Sequence, residues 1–192
     1  AVAAVAATDP HTAEAALSLI EVEYEVLEPV FDGRAAMKDG APVLHPTLET
    51  VYEIMKPGGT SPDGSEHNTN IAKQFVQDLG DITQGFAEAD VIVEREFDTV
   101  PVHQGYIEPH SATASWSRDG KVTIWSSSQG QFAIQEQIAG ILDLSVSKVK
   151  CIPMEIGGGF GGKTCVYLEP VAAWLSKATG YPVKITMNRT EV

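Results

Sequence analysis

The chain has 192 residues, of which 43% are hydrophobic and 20% charged, and its formal net charge at pH 7 is −13. This composition is ordinary for a globular protein of one domain or somewhat more, and the excess of acidic residues argues against a nucleic-acid partner, which would require clustered cations. No apolar run approaches the roughly 18 residues that a membrane-spanning helix needs, so we expect no membrane span and a cytoplasmic protein.

Residues 1–30 are predicted to fold as a strand, a helix and a second strand. The first strand covers residues 2–6, and Thr8 or Asp9 can cap the helix that follows, with Pro10 in its first turn. Residues 21–27 alternate apolar and acidic side chains, a pattern typical of a strand with one buried face. Because the chain opens on a strand without partners and has no initiator Met, we interpret it as an internal piece of a longer protein.

Residues 31–70 look like a loop that links two domains, and the Gly-, Pro- and Ser-rich segment 57–65 is the expected flexible break. Regular patterning returns at residue 71. The expected elements are a helix at 81–89, a strand at 91–97, a hairpin of strands 112–116 and 122–126, a helix at 132–142, a strand at 149–156, a helix at 166–178 and a final strand at 182–187. The core face of the helix at 132–142 is predicted to carry Ile134, Ile138, Ile141 and Leu142. This mixed order indicates an α+β fold with mixed sheets and packed helices.

The most informative stretch is residues 157–163, which read GGGFGGK and are called the glycine loop below. Between a predicted strand and a predicted helix, the free backbone N–H groups of such a loop can converge on an anion. With Thr164 the run also satisfies the P-loop pattern of nucleotide triphosphatases. Only one strand follows, and it ends in Asn188-Arg189 rather than in a magnesium-binding Asp, so we favour an accidental match.

Two residues of the glycine loop carry side chains that need an explanation. Phe160 could form the wall of a site for a planar ligand, or it could anchor the loop in the core, and the sequence leaves both alternatives open. Lys163 could pair with a phosphate, but we favour a structural contact at the start of the helix. Cys151 and Cys165 flank the loop and are predicted to be reduced core residues.

The glycine loop resembles the GGGFGGK signature of the large, molybdopterin-binding subunit of molybdenum hydroxylases, the family of xanthine dehydrogenase, aldehyde oxidase and carbon monoxide dehydrogenase. Other segments resemble this family in the same order: residues 3–28, 103–114, 125–131 and 183–191. The resemblance implies three parts. Residues 1–30 would be the C-terminal part of an α/β hammerhead domain, 31–70 a linker, and 71–192 the N-terminal part of a molybdopterin-binding domain.

The resemblance also implies which residues face the cofactor. Gly158, Gly159, Phe160 and Gly161 would line the molybdenum site, and Gln104 would hydrogen-bond to the cofactor. No residue is expected to bind the metal directly. None in this piece is expected to be catalytic, because the catalytic base of the family is a Glu expected downstream of Val192.

For the whole enzyme, the resemblance implies water-dependent hydroxylation or oxidation of an aldehyde, an N-heterocycle, an aryl substrate or carbon monoxide at a molybdopterin cofactor. Iron–sulfur clusters and FAD would lie on other subunits or domains, so the expected partners are the remainder of the large subunit, those redox subunits and a small-molecule substrate. The piece alone is expected to be inactive. Thr164 stands where purine-hydroxylating members carry Glu, which argues against xanthine as substrate. The alternatives are a non-catalytic binding or assembly module of the same fold and the P-loop protein.

Several polar residues outside the glycine loop have both a structural and a functional interpretation. Glu108 is interpreted first as a partner in a structural ion pair. His103 and His110 are interpreted as ordinary hydrogen-bonded histidines, because no third metal ligand stands nearby in sequence. Gln129 either points towards the pterin or caps the helix that follows it.

Overall fold

The computed structural model describes residues 2–56, 59–67, 69–77 and 79–192. By its internal contacts the chain divides into two compact units, one joining Ala1–Val22 to Thr99–Val192 and the other formed by Glu23–Asp98. The helices and strands of the described residues, in chain order, are α1 (Pro10–Leu17), α2 (Gly33–Ala36), β1 (Glu49–Lys56), β2 (Gly59–His67), β3 (Lys73–Gln77), α3 (Ile82–Glu88), β4 (Ser111–Trp116), β5 (Val122–Ser126), α4 (Gln131–Ile141), β6 (Val149–Pro153), α5 (Glu169–Thr179) and β7 (Val183–Thr186).

The first unit is built on a four-stranded mixed sheet with the strand order β6-β5-β4-β7. β4 pairs antiparallel with both β5 and β7, whereas β5 and β6 run parallel. A parallel pair requires a crossover connection, and α4 supplies it between β5 and β6. α5 then connects β6 to β7. The three successive connections are thus the hairpin turn between β4 and β5, α4 and α5, and they end near one another where β5, β6 and β7 begin.

α4 and α5 pack with the sheet around a single hydrophobic core. Its buried residues are Ala114, Val122, Ile124, Ile134, Ile138, Ala139, Val149, Ala172 and Ala173. Ile134 and Ile138 lie in the core as their helical spacing predicts, but the prediction for Ile141 is wrong, since that side chain is 60% exposed. Ile141 is the last residue of α4 and lines an open apolar groove with Trp174 of α5.

Local sequence signals explain where several elements of this unit begin and end. The Asp9 carboxylate caps α1 by accepting the Thr12 N–H at 2.9 Å. Gly120, with φ of 80°, turns the chain between β4 and β5 as predicted. Gly180, with φ of 74°, ends α5 and donates its N–H to Ser176 O at 2.9 Å.

The second unit contains a three-stranded mixed sheet with the order β2-β1-β3, in which β1 is antiparallel to β2 and parallel to β3. The Asn70 side chain ties the preceding irregular chain to this sheet, because its amide donates to Ala36 O and Pro42 O and accepts the Leu44 N–H. The predicted helix at 81–89 is confirmed as α3, with Asp81 as its cap. Both units therefore contain mixed sheets, as the α+β prediction requires.

The strands predicted at residues 2–6, 21–27 and 91–97 are wrong. A strand needs a backbone partner as well as an alternating pattern, and none of these segments pairs with another among the described residues. Their apolar side chains are consequently uncovered: Val26 is 90% exposed and Phe97 is 87% exposed. An alternation of apolar and polar residues indicates only that one face of a strand could be buried.

The loop-like interpretation of residues 31–70 is also wrong, because β1 and β2 both lie there. Of the expected flexible break at 57–65, Pro57 and Gly58 lie outside the described residues, and residues 59–65 belong to β2. The ladder between β1 and β2 shifts register between Tyr52 and Glu53, which pair with Gly64 and Pro62, so one extra residue of this turn-forming segment is accommodated there. Among the residues that the structure describes, no helix is long and apolar enough to cross a membrane.

Ser176 is a small side chain whose buried hydroxyl connects three segments of this fold. Its fully buried hydroxyl accepts the Trp116 N–H at 2.9 Å and donates to Tyr181 O at 2.7 Å, joining α5 to β4 and to the turn before β7. We predict that Ser176→Ala lowers the free energy of unfolding by about 1–3 kcal/mol, because both backbone groups lose their partner. Urea unfolding measures this, with Ser145→Ala, an exposed hydroxyl bonded only to Ser147, as the control. Equal stability of the two variants would contradict the assignment.

Candidate functional site

Three irregular segments meet at one edge of the four-stranded sheet. The parallel strands β5 and β6 end there, since Ser126 pairs with Pro153, and β4 begins at the same edge. The glycine loop follows β6, residues 127–130 follow β5, and residues 103–110 precede β4. The carboxyl ends of parallel strands are where ligands bind in open sheets with helical crossovers, so this edge is the candidate site.

The backbone of the glycine loop repeatedly enters the left-handed region. Gly158 and Gly161 have φ of 94°, and Phe160 has φ of 49°. Gly162 donates its N–H to Gly159 O at 2.7 Å, which closes a tight turn around Phe160. Positive φ at an aromatic residue is strained, and the Phe160 side chain is 73% exposed. Phe160 is therefore not anchored in the core, which leaves the ligand-wall alternative.

Three glycines of the loop are packed against side chains from elsewhere in the chain. The distances from an ideal added Cβ are 2.7 Å at Gly157 to Glu108 Cβ, 2.6 Å at Gly159 to Gln129 Oε1 and 2.6 Å at Gly162 to Tyr106 Cε1. Any residue other than glycine would overlap these atoms. Gly161 differs, because no heavy atom lies within 4 Å of its Cβ position and only its positive φ requires glycine.

Gln129 forms hydrogen bonds along the second half of the glycine loop. Its Oε1 accepts the N–H groups of Gly161 at 2.9 Å and Lys163 at 3.2 Å, and its own N–H donates to Lys163 O at 2.9 Å. Two donors at one atom fix the amide orientation, which leaves Nε2 without an acceptor among the described residues. The alternative that Gln129 caps α4 is wrong, because the cap position is Gly130 and no side chain caps that helix.

Lys163 and Glu108 form a buried ion pair beneath the loop. The Lys163 side chain is 1% exposed, and its Nζ lies 2.6 Å from Glu108 Oε2, which also accepts the Gly157 N–H at 2.6 Å. Burial alone would raise the pKa of Glu108, but the hydrogen bonds from Lys163 and Gly157 and the charge of Lys163 hold that pKa below its ordinary value. The predicted ion pair of Glu108 is confirmed, although Lys163 lies in the interior and not at a helix surface.

Tyr106 and His110 form the floor on which the loop rests. The Tyr106 hydroxyl lies 2.7 Å from His110 Nε2, and both side chains are buried. Burial, together with the nearby charge of Lys163, lowers the pKa of His110, so the imidazole is neutral at pH 7. His103 accepts the Gly105 N–H at 3.0 Å. Across the described ranges no three His, Cys, Asp or Glu side chains come together as a metal site would require.

The remaining predicted residues lie around this floor. Gln104 is exposed and lies beside Gly162, with its amide carbon 3.2 Å from the Cβ position of that glycine. Thr164 closes the loop by donating its hydroxyl to Gly161 O at 2.9 Å. Both cysteines are free thiols, but the core prediction is wrong for Cys165, which is exposed, whereas burial raises the pKa of half-buried Cys151 to about 11.

The glycine loop contains backbone donors that have no acceptor in the described part of the chain. Among the described residues no acceptor receives the N–H groups of Gly158, Gly159 and Phe160. At the adjacent start of α4, Ser128 Oγ and Gln131 Oε1 are buried without a hydrogen-bond partner in the described part of the chain. Buried polar groups are normally satisfied, so these two atoms could accept or donate hydrogen bonds to a further group at this edge.

Comparison with known proteins agrees with this geometry. The chain is 37% identical over 206 aligned residues to the probable hypoxanthine oxidase of Escherichia coli, an alignment that covers 99% of the chain and 21% of that protein. It is 30% identical over 191 residues to the nicotinate dehydrogenase large molybdopterin subunit of Eubacterium barkeri, covering 100% of the chain and 40% of the relative. The chain thus spans less than half the length of these curated relatives.

A solved structure and a family profile give the same result. The crystal structure of the Cu,Mo-CO dehydrogenase in its carbon monoxide reduced state superposes with a TM-score of 0.73 at 30% identity, over 96% of this chain and 23% of that one. The profile of the molybdopterin cofactor-binding domain matches residues 64–192, which include the whole edge described above. The chain therefore belongs to the molybdopterin cofactor-binding domain family, the family whose signature its glycine loop resembles.

Proposed function

We propose that this chain supplies the glycine loop of the molybdopterin site in a molybdenum hydroxylase. In the whole protein the reaction is the water-dependent hydroxylation or oxidation of an aldehyde, an N-heterocycle, an aryl substrate or carbon monoxide. When bound, the molybdenum cofactor supplies the redox centre for that reaction. The observation that carries the proposal is the row of free N–H groups from Gly158 to Phe160 at the carboxyl edge of the sheet.

The residues proposed to hold the cofactor are Gly158, Gly159, Phe160, Gly161 and Gln104. The glycines contribute backbone donors in a chain path that side chains would block, and the exposed Phe160 ring offers an apolar wall beside them. We propose Gln129 as a further member of this group, because its free Nε2 is a neutral donor next to the loop. A cofactor rich in oxygen atoms fits such a set of uncharged donors.

Glu108 touches the loop but is unsuited to act as a general base. Its Oε2 already accepts two hydrogen bonds, and its low pKa makes it a poor proton acceptor at neutral pH. We therefore propose that the base is a Glu outside these 192 residues. If residues of this chain contact the substrate, we expect them to be Phe160 and the neighbouring Thr164. Thr164 has a hydroxyl where purine-hydroxylating members have a carboxylate, which argues against xanthine.

The larger assembly follows from the same proposal. Residues 1–30 would be the end of a hammerhead domain, 31–70 the segment that links the two domains and carries β1 and β2, and 71–192 the first part of the cofactor-binding domain. The remainder of the large subunit would complete the site, and iron–sulfur and FAD subunits or domains would receive the electrons. Support comes from the relatives, whose length exceeds that of this chain.

The two alternatives are not favoured. A P-loop lysine must reach the phosphates of a nucleotide, but the Lys163 ammonium is buried and paired with Glu108 on the inner side of the loop. A non-catalytic module of the same fold has no observation in its support. Its loop would have no use for the strained Phe160 and the free N–H groups.

Metal and pterin analysis of the whole protein tests the proposed function. Purification of the complete native complex, followed by elemental analysis and by fluorescence of the oxidised pterin, should give molybdenum and pterin in equal amounts. A folded complex with neither, after growth with ample molybdate, would overturn the proposal and favour the non-catalytic module.

ATP should not bind at the glycine loop. Because Lys163 cannot leave Glu108 without stranding a buried charge, the phosphates would lack their cation. Calorimetric titration with ATP and magnesium should show no saturable heat in the micromolar range. Micromolar binding that Thr164→Ala weakens would revive the P-loop interpretation.

The φ of Gly161 should be essential for cofactor binding. In the whole enzyme, Gly161→Val should strain the loop by an amount on the order of 1–3 kcal/mol and lose bound molybdenum, because a β-branched residue does not adopt its φ of 94°. Phe160→Ala should retain part of the metal but lower the rate of substrate reduction in a single turnover.

Gly140 provides a matched control for that experiment. It lies in α4 with no heavy atom within 4 Å of its Cβ position and has no positive φ, so Gly140→Val should keep the molybdenum content of the parent. If Gly161→Val matched Gly140→Val in metal content and rate, the loop would not line the site.

A further inference from the structure

Lys163 is the most deeply buried charged side chain of the first unit, and its burial needs a reason. At 1% exposure the ammonium has lost its water shell, which costs several kcal/mol for an ion in a protein interior. Its partner Glu108 keeps 31% of its side chain exposed, so the pair is asymmetric. A buried ion pair is weak evidence for stability alone, and the geometry points to a further purpose.

The pair connects the two ends of the glycine loop. Glu108 accepts the Gly157 N–H at 2.6 Å and donates its own N–H to Gly157 O at 3.3 Å, which fixes the first residue of the loop. Lys163 is the last residue, and its backbone N–H and C=O are both held by Gln129. One carboxylate oxygen therefore joins the start of the loop to its end.

The surrounding ring restricts the pair further. The Lys163 ammonium lies 5.1 Å from the centre of the Tyr106 ring, within the range of a cation–π contact. The Tyr106 side chain also lies against two loop glycines, with its Cβ 3.2 Å from the Cβ position of Gly158 and its ring Cε1 2.6 Å from that of Gly162. Displacement of the ammonium would therefore disturb the floor of the loop as well as its ends.

We propose that Glu108 and Lys163 form a latch that sets the orientation of the free N–H groups of Gly158, Gly159 and Phe160. Both are positioning residues, and neither touches the cofactor. The inference rests on the proposed function only for what those N–H groups bind. The conformation of the loop itself is a property of this chain.

Four variants of the whole protein separate the charge of the latch from its hydrogen bond to the loop. Glu108→Ala removes both, Glu108→Gln keeps an acceptor for the Gly157 N–H but strands the ammonium, and Lys163→Met removes the ammonium at similar length. The double variant Glu108→Gln with Lys163→Met removes both charges and keeps the acceptor. Lys121→Met, which breaks the exposed pair with Asp119, is the control for loss of a lysine charge.

The primary measurement is hydrogen–deuterium exchange of the glycine-loop amides in the cofactor-free protein. Glu108→Ala should raise the exchange of the hydrogen-bonded loop amides, those of Gly157, Gly161, Gly162 and Lys163, by at least about tenfold, since a charge-assisted bond at the loop is lost. Glu108→Gln should raise exchange by a similar factor, because an unpaired buried ammonium is unfavourable and the chain rearranges to expose it to water. The double variant should return exchange to within about threefold of the parent, and Lys121→Met should leave it unchanged.

The loaded enzyme gives the second measurement. In the fraction that still contains molybdenum, Glu108→Ala should alter the electron paramagnetic resonance signal of the metal and lower kcat more than it changes KM, and the double variant should restore both. If thermal stability fell while loop exchange, the signal and kcat matched the parent, the pair would be only a stabilising contact and the latch would be overturned. Absence of molybdenum from the parent protein would instead overturn the proposed function, and the exchange measurement would still decide the latch.

Discussion

The buried ammonium of Lys163 imposes an arrangement on every segment around it. A charge with almost no contact with water must be compensated nearby, and the compensating carboxylate, Glu108, belongs to a segment far away in sequence. That segment has to turn back beneath the glycine loop before β4 begins, and Arg189, which follows β7, holds it there by donating to Tyr106 O and Ile107 O. The contacts of one ammonium group thus bring together the segment before β4, the glycine loop after β6 and the residues after β7.

The glycines of the loop serve two different physical requirements. Gly157, Gly159 and Gly162 are needed for space, since side chains of other segments occupy their Cβ positions, whereas Gly161 is needed for its dihedral angles. Glycine-rich loops are commonly explained by flexibility. This loop is instead packed against other side chains and hydrogen-bonded at both ends, and within the described residues its free N–H groups are those of Gly158, Gly159 and Phe160. Preorganised donors of this kind bind a ligand without first being ordered.

Sequence reasoning succeeded where the determinants are local. The hairpin around Gly120, the cap at Asp9, and the helices α3, α4 and α5 follow from residues within a few positions of each element. The glycine loop stands out as the candidate site because its composition is unusual in itself. The three predicted strands failed because alternation does not specify a pairing partner, which lies elsewhere in the chain if it exists.

The candidate site was predicted less completely than the fold, for the same reason. The ion pair of Glu108 was anticipated from residue type, but its partner was not, since the two residues are 55 positions apart. Gln104 was preferred over Gln129 from resemblance alone. In the structure both lie beside the loop, but only Gln129 hydrogen-bonds to it. A signal for Gln129 was present, because it lies in the short connection after β5, whose carboxyl end meets the loop.

The contacts of the three space-limited glycines determine what would be needed to move this loop into another protein. Grafting the seven residues GGGFGGK after a strand would transfer the flexible backbone but not its shape. Tyr106, Glu108 and Gln129 fill the space that the missing side chains leave, and they come from two other segments. A functional graft would have to carry those three residues at their present distances. The shape of the loop is therefore a property of the whole edge of the sheet, and the GGGFGGK motif is the part of that edge that is contiguous in sequence.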